Sequence, residues 1–261
     1  MRHEVATVLL APILAQAEAP VSVGWCEQCQ TEHRLAQGPA LAYAQHLRRD
    51  LEQHKRIDFD VANPDPRLAT DYLFGPALGQ MFGVLVGEDL QGKTVVLRAF
   101  SCQYNGIWQV EGWAPPLFPL VTYKKIMVPG DRQLKDLGKQ LTALSPASDE
   151  AQDLKRQRKQ LSQELMKKLH ALYKVWNFKG ETRSLAEFFT HARGIPTGAG
   201  DCCAPKLLNQ AAQMKLRPLG LAEFYWGKAN RSGTRQHEEF YGSCADKCQP
   251  MLGFMLCGAK A

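Results

Sequence analysis

Two close pairs of cysteines in the last quarter of the chain most constrain what it can fold into. Cys202 and Cys203 are adjacent, and Cys244 and Cys248 follow about forty residues later. The intervening residues are predicted to form one helix and one strand. Thiols grouped in this way are typical of a metal site or of a reactive cysteine with partners, and less often only fill a core. The sequence therefore predicts a site here but does not name a reaction.

The other cysteines indicate a reducing compartment. Eight cysteines in 261 residues are too sparse for a disulfide scaffold. Their grouping, with a CxxC at Cys26 and Cys29, suits thiolate ligands better than disulfides. Cys102 and Cys257 have no close partner in sequence and are predicted to be core residues. We therefore expect a cytoplasmic protein.

An apolar run near the start argues for a different location. Residues 5–14 are mostly apolar, and Ala-Gln-Ala at 15–17 resembles the cleavage site of a secretory signal. Glu4 and Pro12 are unusual in such a signal, so we favour an uncleaved chain and keep the signal as the alternative. No stretch approaches the ~20 apolar residues that a bilayer-spanning helix needs, so no membrane partner is expected.

Strand and helix patterns predict the elements of the first two thirds. The β-rich runs at 81–87 and 94–100 predict an antiparallel hairpin. Residues 108–113 are expected to continue its sheet. From 131 to 178 the chain has helical composition, broken near Ser145. We expect a helical hairpin that protrudes from the sheet.

The remaining third is expected to hold a helix at 204–214, a strand at 218–226 and a closing helix at 250–257. With a charged content of 22% and a hydrophobic content of 45%, the chain is a globular one. The predicted fold class is α+β. Its predicted regions are an N-terminal part with the hairpin sheet at 1–130, the helical hairpin at 131–180, and a C-terminal α/β unit with the cysteine cluster at 181–261.

The cysteines at the head of the predicted helix favour metal binding. The helix dipole and free backbone N–H groups stabilise a thiolate there, which a zinc ligand requires. The fourth ligand of such a site would be His237 or solvent, and a buried group of structural thiols is the alternative. The predicted cofactor is zinc, and the predicted ligands are Cys202, Cys203, Cys244 and Cys248.

An enzyme at the same cysteines is the second hypothesis. Cys202 as nucleophile and His237 as base, with Asp201 or Glu223 as orienting acid, would be a thiol hydrolase. The order of cysteines is also similar to that of zinc deaminases, in which a ligand opens one helix and a CxxC opens the next. Those enzymes carry a glutamate two residues after the first ligand, and Ala204 stands there after Cys202. A deaminase-like unit is thus expected without the usual proton shuttle.

The N-terminal CxxC is a further candidate. Cys26 and Cys29, with His33 four residues beyond, could form half of a zinc site. Closure would need ligands from distant sequence, because no second CxxC lies nearby. A turn that holds two cysteines by chance is the alternative.

The net charge is +6, and much of the excess positive charge is local. A basic run on one predicted helix, followed by Lys167 and Lys168, is typical of a surface that contacts a polyanion. A solvated helix face is the alternative. The predicted RNA-contacting residues are Lys155, Arg156, Arg158 and Lys159.

Two stretches of unusual composition carry a family resemblance. The first runs from Gln-Met-Phe-Gly-Val-Leu-Val at 80–86 through Leu-Arg-Ala-Phe-Ser at 97–101 to Trp-Ala-Pro-Pro-Leu-Phe at 113–118. The second runs from Gly-Ala-Gly-Asp-Cys-Cys-Ala-Pro-Lys-Leu-Leu at 198–208 to Ala-Glu-Phe-Tyr-Trp-Gly at 222–227. Both resemble the long N-terminal extension of some RluA-type pseudouridine synthases, which act on tRNA and 23S rRNA.

This resemblance implies a role in RNA modification but not the isomerase activity. The aspartate-containing motif of the synthase catalytic domain is not found in these 261 residues. The chain therefore looks like a stand-alone accessory domain. The partners that the resemblance implies are RNA and a separate RNA-modification enzyme.

Overall fold

A computed structural model describes residues 20–59, 61–190 and 194–259. Its α-helices are α1 (Ala40–His54), α2 (Leu120–Thr142), α3 (Asp149–His170), α4 (Cys203–Gln213) and α5 (Gln249–Met255). Its strands are β1 (Val21–Cys26), β2 (Thr31–Ala36), β3 (Gln80–Glu88), β4 (Thr94–Phe100), β5 (Lys174–Trp176), β6 (Thr182–Ser184), β7 (Arg217–Trp226) and β8 (Phe240–Tyr241). The apolar run at 5–14 lies outside the described residues.

A four-stranded antiparallel sheet, in the order β4-β3-β7-β8, lies at the centre. β3 pairs with both β4 and β7, so Leu85 lies between Leu97 and Leu221. The predicted hairpin is confirmed, and helices combined with antiparallel sheets make the fold α+β. The sheet takes β3 and β4 from the predicted region 1–130 and β7 and β8 from the predicted region 181–261. These two regions therefore share one sheet. The sequence did not indicate this, because local patterns do not show long-range strand pairing.

The sheet is covered on both faces. Successive side chains of a strand point to opposite faces. Leu85 and Leu221 pack on the face that carries α4, α5 and the helical hairpin. Phe82 and Phe224 pack on the other face, with α1 and Trp113. This double burial explains why the strand sequences are almost continuously apolar.

The helical hairpin is formed by α2 and α3. α2 starts at Leu120, eleven residues earlier than predicted. α3 begins after Ser148, as expected. The Ser148 hydroxyl caps this helix, because it accepts a hydrogen bond from the Ala151 N–H at 3.2 Å. Leu165 and Leu169 anchor α3 to the core.

The predicted strand at 108–113 is wrong. This segment is irregular in the structure, and its Trp113 is buried as a loop residue whose indole Nε1 donates to the Ile57 carbonyl at 3.0 Å. Large apolar side chains can fill a core from a loop as well as from a strand, so their alternation misled the prediction.

The β1–β2 hairpin packs against α5. Gly24 and Gly253 lie at the contact, where backbone approaches backbone. None of the helices in the described parts of the chain combines the length and apolar character that crossing a bilayer requires.

Candidate metal centre

Three of the four predicted ligands come together in space. The sulfur atoms of Cys202, Cys244 and Cys248 all lie within 4.8 Å of one another. Cys244 Sγ and Cys248 Sγ are 3.3 Å apart. This set could hold a metal ion, because tetrahedral zinc–thiolate sites bring sulfur atoms to comparable separations.

The start of α4 decides which of the adjacent cysteines faces the cluster. Cys202 is the N-cap residue of α4 and turns toward the cluster. Cys203, one residue later, is rotated by about 100° around the helix axis. Its thiol is fully buried and donates to the Met81 carbonyl of β3 at 3.3 Å. The structure therefore places Cys203 in the core between α4 and the sheet, away from the three-cysteine cluster.

The other two ligands lie in the turn between β8 and α5. The Cys248 N–H donates to the Cys244 carbonyl at 3.2 Å, which closes the turn. β1 holds this turn through Ser243, whose N–H donates to the Val21 carbonyl at 3.1 Å and whose hydroxyl accepts from the Val23 N–H at 3.2 Å. Position and orientation of Cys244 thus depend on the N-terminal hairpin.

The electrostatics of the cluster favour a thiolate. Hydrogen bonds shared with the Cys202 and Cys248 thiols lower the pKa of Cys244 to about 2. The hydrogen bond with Cys244 and burial raise the pKa of Cys202 well above its usual range, although the hydrogen bond with Cys248 opposes this shift. Hydrogen bonds with both other cysteines and burial likewise raise the pKa of Cys248. The arrangement therefore favours a negative charge on one of the three sulfur atoms. A bound cation would allow all three to ionise.

Glu223 lies beside the cluster on β7. Its carboxylate Oε1 accepts a hydrogen bond from the Ala204 N–H at 3.0 Å, so it caps the first turn of α4. Burial raises the pKa of Glu223 to about 7, against the opposing effect of the Ala204 hydrogen bond, and the charge of Cys244 adds to the increase. Glu223, which the sequence suggested as an orienting acid, is thus engaged as a helix cap.

The raised pKa makes a pH-dependent prediction. The pKa of this buried acid rises on folding from 4.5 to about 7. The acid therefore makes its full contribution to stability only at a pH below 4.5, the pKa in the unfolded chain. That stability is lost as pH rises through 7. Glu223→Gln keeps the Ala204 hydrogen bond and does not titrate. Relative to wild type, this variant should gain about 2 kcal/mol of unfolding free energy between pH 5.5 and pH 8, measured by denaturant titration.

The exposed Glu111 provides the matched control for that experiment. Glu111→Gln should track wild type across the same pH range. Comparing each variant with wild type at every pH cancels the effect of pH on metal occupancy. If the difference in unfolding free energy between Glu223→Gln and wild type does not change with pH, the buried carboxylate is ionised over the whole pH range.

The structure does not bring His237 to Cys202. Nδ1 of His237 accepts a hydrogen bond from the Gly227 N–H at 3.1 Å, and its ring packs against Trp226, with 4.4 Å between centroids. Trp226 belongs to the core on the α1 face of the sheet, whereas Cys202 packs on the opposite face. The sheet therefore separates the base from the nucleophile of the predicted thiol hydrolase.

Asp201 is also engaged elsewhere. The Tyr173 hydroxyl donates to its carboxylate at 2.7 Å. Burial raises the pKa of Asp201, although this hydrogen bond opposes the shift. Asp201 is thus an acceptor for a core tyrosine and does not orient His237.

A second group of ligands, which includes the N-terminal CxxC, could also hold a metal ion. Its unexpected member is Cys257, which is buried as predicted but lies next to Cys29. The group consists of Cys26, Cys29, His33 and Cys257.

The predicted core position is wrong for Cys102, which is exposed in the turn after β4 with a φ of 53°.

Comparisons of the chain with family models, with curated proteins and with solved structures found no match. What the site does is therefore inferred from its own chemistry. Three thiolates supply three of the four positions of tetrahedral zinc, and a fourth ligand would come from solvent or from a side-chain movement.

The four predicted RNA-contacting residues lie on exposed turns of α3. Arg156 forms an ion pair with Asp153, and the Lys155 ammonium donates to the Pro146 carbonyl at 3.1 Å. Positions three and four apart on a helix share one face, so three of the four line a groove between α2 and α3. These three are Lys155, Arg158 and Lys159.

Proposed function

We propose that this chain is a zinc-binding accessory module of RNA modification, without pseudouridine synthase activity of its own, that works in the cytoplasm. The observation that carries the metal part is the convergence of Cys202, Cys244 and Cys248 from distant parts of the sequence. Chance rarely brings a thiol from the start of α4 within 4.8 Å of two thiols from a turn about forty residues later, whereas a zinc ion requires it.

Zinc is the metal that this ligand set suits best. Thiolates are soft ligands that select zinc, copper(I) or iron–sulfur clusters, and not magnesium or calcium. Cys202 and Cys248 are each the N-cap residue of a helix, so the cluster lies where α4 and α5 begin. Bound zinc would fix the relative position of α4 and α5.

The helical hairpin supports the RNA part of the proposal. Residues 120–170 contain eleven basic and six acidic residues, which account for five of the six excess positive charges of the chain. The hairpin anchors to the core at Leu165 and Leu169, and much of its remaining surface is exposed. A basic, protruding element of this kind is suited to contacts with a phosphate backbone. The family resemblance suggests tRNA or rRNA as the RNA and a separate synthase as the companion enzyme.

Charge removal on α3 tests the RNA contact. Replacement of Lys155, Arg156, Arg158 and Lys159 by glutamine should weaken binding to an unmodified tRNA transcript at least about tenfold at moderate salt. The slope of log K against log salt should fall by about 3, because each lost phosphate contact removes about 0.7–0.9 from it. Fluorescence anisotropy at several salt concentrations measures both quantities.

The control removes the same number of positive charges elsewhere. Its exposed positions lie on α1, in the β3–β4 turn and in the loop after β7. If this control loses as much affinity as the α3 variant, binding depends on net charge and the hairpin is not the contact surface. If wild type shows no salt-dependent binding, the RNA proposal fails. The control positions are Arg49, Lys93, Lys228 and Arg231.

A second candidate function is a zinc-dependent hydrolase or deaminase at the same cluster. It is favoured by the three-thiolate ligand count, which leaves the fourth position of tetrahedral zinc open, and by the buried Glu223 nearby. Cobalt substitution discriminates between the two functions. A visible spectrum that changes on addition of azide indicates a position open to exogenous ligands, as an enzyme needs.

A further inference from the structure

The second group of metal-ligating side chains joins both ends of the described fold. Its four ligand atoms all lie within 4.8 Å of one another. Cys29 Sγ and Cys257 Sγ are 3.3 Å apart, although 228 residues separate them in sequence. Three of the ligands come from the β1–β2 hairpin, and the fourth follows α5.

The hairpin geometry gives the first three ligands their positions. Cys26 ends β1, and Cys29 lies in the turn before β2. In the β1–β2 register His33 lies opposite Gly24. Cys26 is two residues after Gly24 on the same strand, so the side chains of His33 and Cys26 lie on the same side of the hairpin. A tight hairpin with a CxxC in its turn is the usual way in which zinc knuckles present two thiolates.

His33 supplies an observation that points to a ligand independently of the thiols. Its Nε2 atom is buried and has no hydrogen-bond partner within the described residues. A buried ring nitrogen without a partner costs free energy, so such atoms are rare in folded proteins. A metal ion bound to Nε2 removes that cost, and neutral imidazole is a common zinc ligand.

The surroundings also suit the charge of an occupied site. Three thiolates and one neutral histidine around Zn²⁺ leave a net charge of about −1. The ammonium group of Lys179 forms a hydrogen bond with Cys257 and interacts electrostatically with Cys29. A cation at this position offsets the excess charge of the thiolates.

We propose that these four residues bind a second zinc ion in a closed, structural site that fastens the β1–β2 hairpin to the C-terminal segment after α5. Four protein ligands leave no position for water or substrate, so the site stabilises the fold and does not catalyse a reaction. It does not depend on whether the three-cysteine cluster holds a metal or on whether RNA binds. The ligands are Cys26, Cys29, His33 and Cys257.

Helix α5 connects this closed site to the three-cysteine cluster. Cys248 is its N-cap residue, and Cys257 follows its last residue, Met255, by two positions. The seven-residue helix is about 10 Å long, so one short rigid element carries ligands of both sites. The seating of α5 on β1 therefore affects the position of ligands in both sites.

Zinc counting on single-site variants tests the proposal. By elemental analysis, purified wild type should contain two zinc ions per chain, and Cys29→Ser and His33→Gln should each contain one. Cys244→Ser should lose the ion of the three-cysteine cluster and keep that of the closed site. Cys102→Ser and His46→Gln, which change an exposed cysteine and an exposed histidine outside both groups, should retain two.

The outcomes separate this proposal from the preceding one. One ion in wild type that is lost in Cys29→Ser supports the closed site and argues against metal in the three-cysteine cluster. One ion that is lost in Cys244→Ser and kept in Cys29→Ser overturns the closed site.

Alkylation of wild-type protein keeps the test valid if the variants fail to fold. Cys29 is exposed in the folded chain, so without a metal its thiol would react readily with iodoacetamide. Peptide mass spectrometry should show that Cys29 is protected in the purified protein and reacts at least about tenfold faster after a strong chelator is added. Rapid labelling of Cys29 before chelation overturns the proposal.

Discussion

Removal of zinc by a strong chelator is expected to release residues 21–36 and 244–257 together. Hydrogen exchange followed by mass spectrometry should show amide protection in both segments falling by at least about 100-fold, while β3 and β4 remain protected. The melting temperature should drop by more than about 10 °C. Added zinc should restore both quantities.

The reason is that β2, one of the two strands of the N-terminal hairpin, buries few side chains of its own. Four of the six residues of β2 are exposed, Glu32 and Arg34 among them, and the other two are half-buried. An isolated two-stranded hairpin is marginally stable in water. Structural zinc contributes about 10–16 kcal/mol of apparent binding free energy in small domains, which is comparable to the total stability of a typical protein. Bound zinc would therefore dominate the balance for these segments.

The central sheet provides the internal control. β3 pairs on both sides and is buried on both faces, so its protection depends on apolar packing and not on zinc. Added magnesium should not restore what zinc restores, because thiolates do not bind it. If the hairpin and α5 keep their protection after chelation, the ligand groups are not structural zinc sites.

Elements with strong local patterns were predictable from the sequence. The hairpin of β3 and β4 follows from two β-rich runs around a polar turn, and α4 follows from its apolar periodicity after Cys202. β2 was not predictable in this way. Its sequence, Thr-Glu-His-Arg-Leu-Ala, is polar because it lies at the surface, and its strand conformation comes from pairing with β1.

The candidate sites were predictable only where their ligands are close in sequence. Cys244 and Cys248 share one turn, so their spacing indicated a site. Cys257 gives no such signal, because the packing of α5 against β1 is what brings it to Cys29. The choice of Cys202 over Cys203 depends on the rotation of α4, which residue spacing alone does not define.

The packing of α5 against β1 leads to the second large effect. Gly253→Ala should destabilise the chain by about 3 kcal/mol or more, because a Cβ at this position would overlap the Trp25 carbonyl and crowd the backbone nitrogen of Cys26. Alanine normally stabilises a helix relative to glycine by up to about 1 kcal/mol, so steric overlap outweighs helix propensity here. Thermal unfolding should show a melting temperature lower by about 6–12 °C.

Zinc content distinguishes this effect from a simple packing defect. Displacement of α5 from β1 moves Cys257 away from Cys26 and also shifts Cys248, so Gly253→Ala should reduce zinc at both sites. Gly138→Ala in α2 is the matched control, because nothing lies within 4 Å of the place that an alanine Cβ would occupy there, and the variant should be as stable as wild type or more so. If Gly253→Ala is destabilised but keeps its full zinc content, α5 does not couple the two sites. The contact of α5 with β1 would then not be needed to hold the ligands in place.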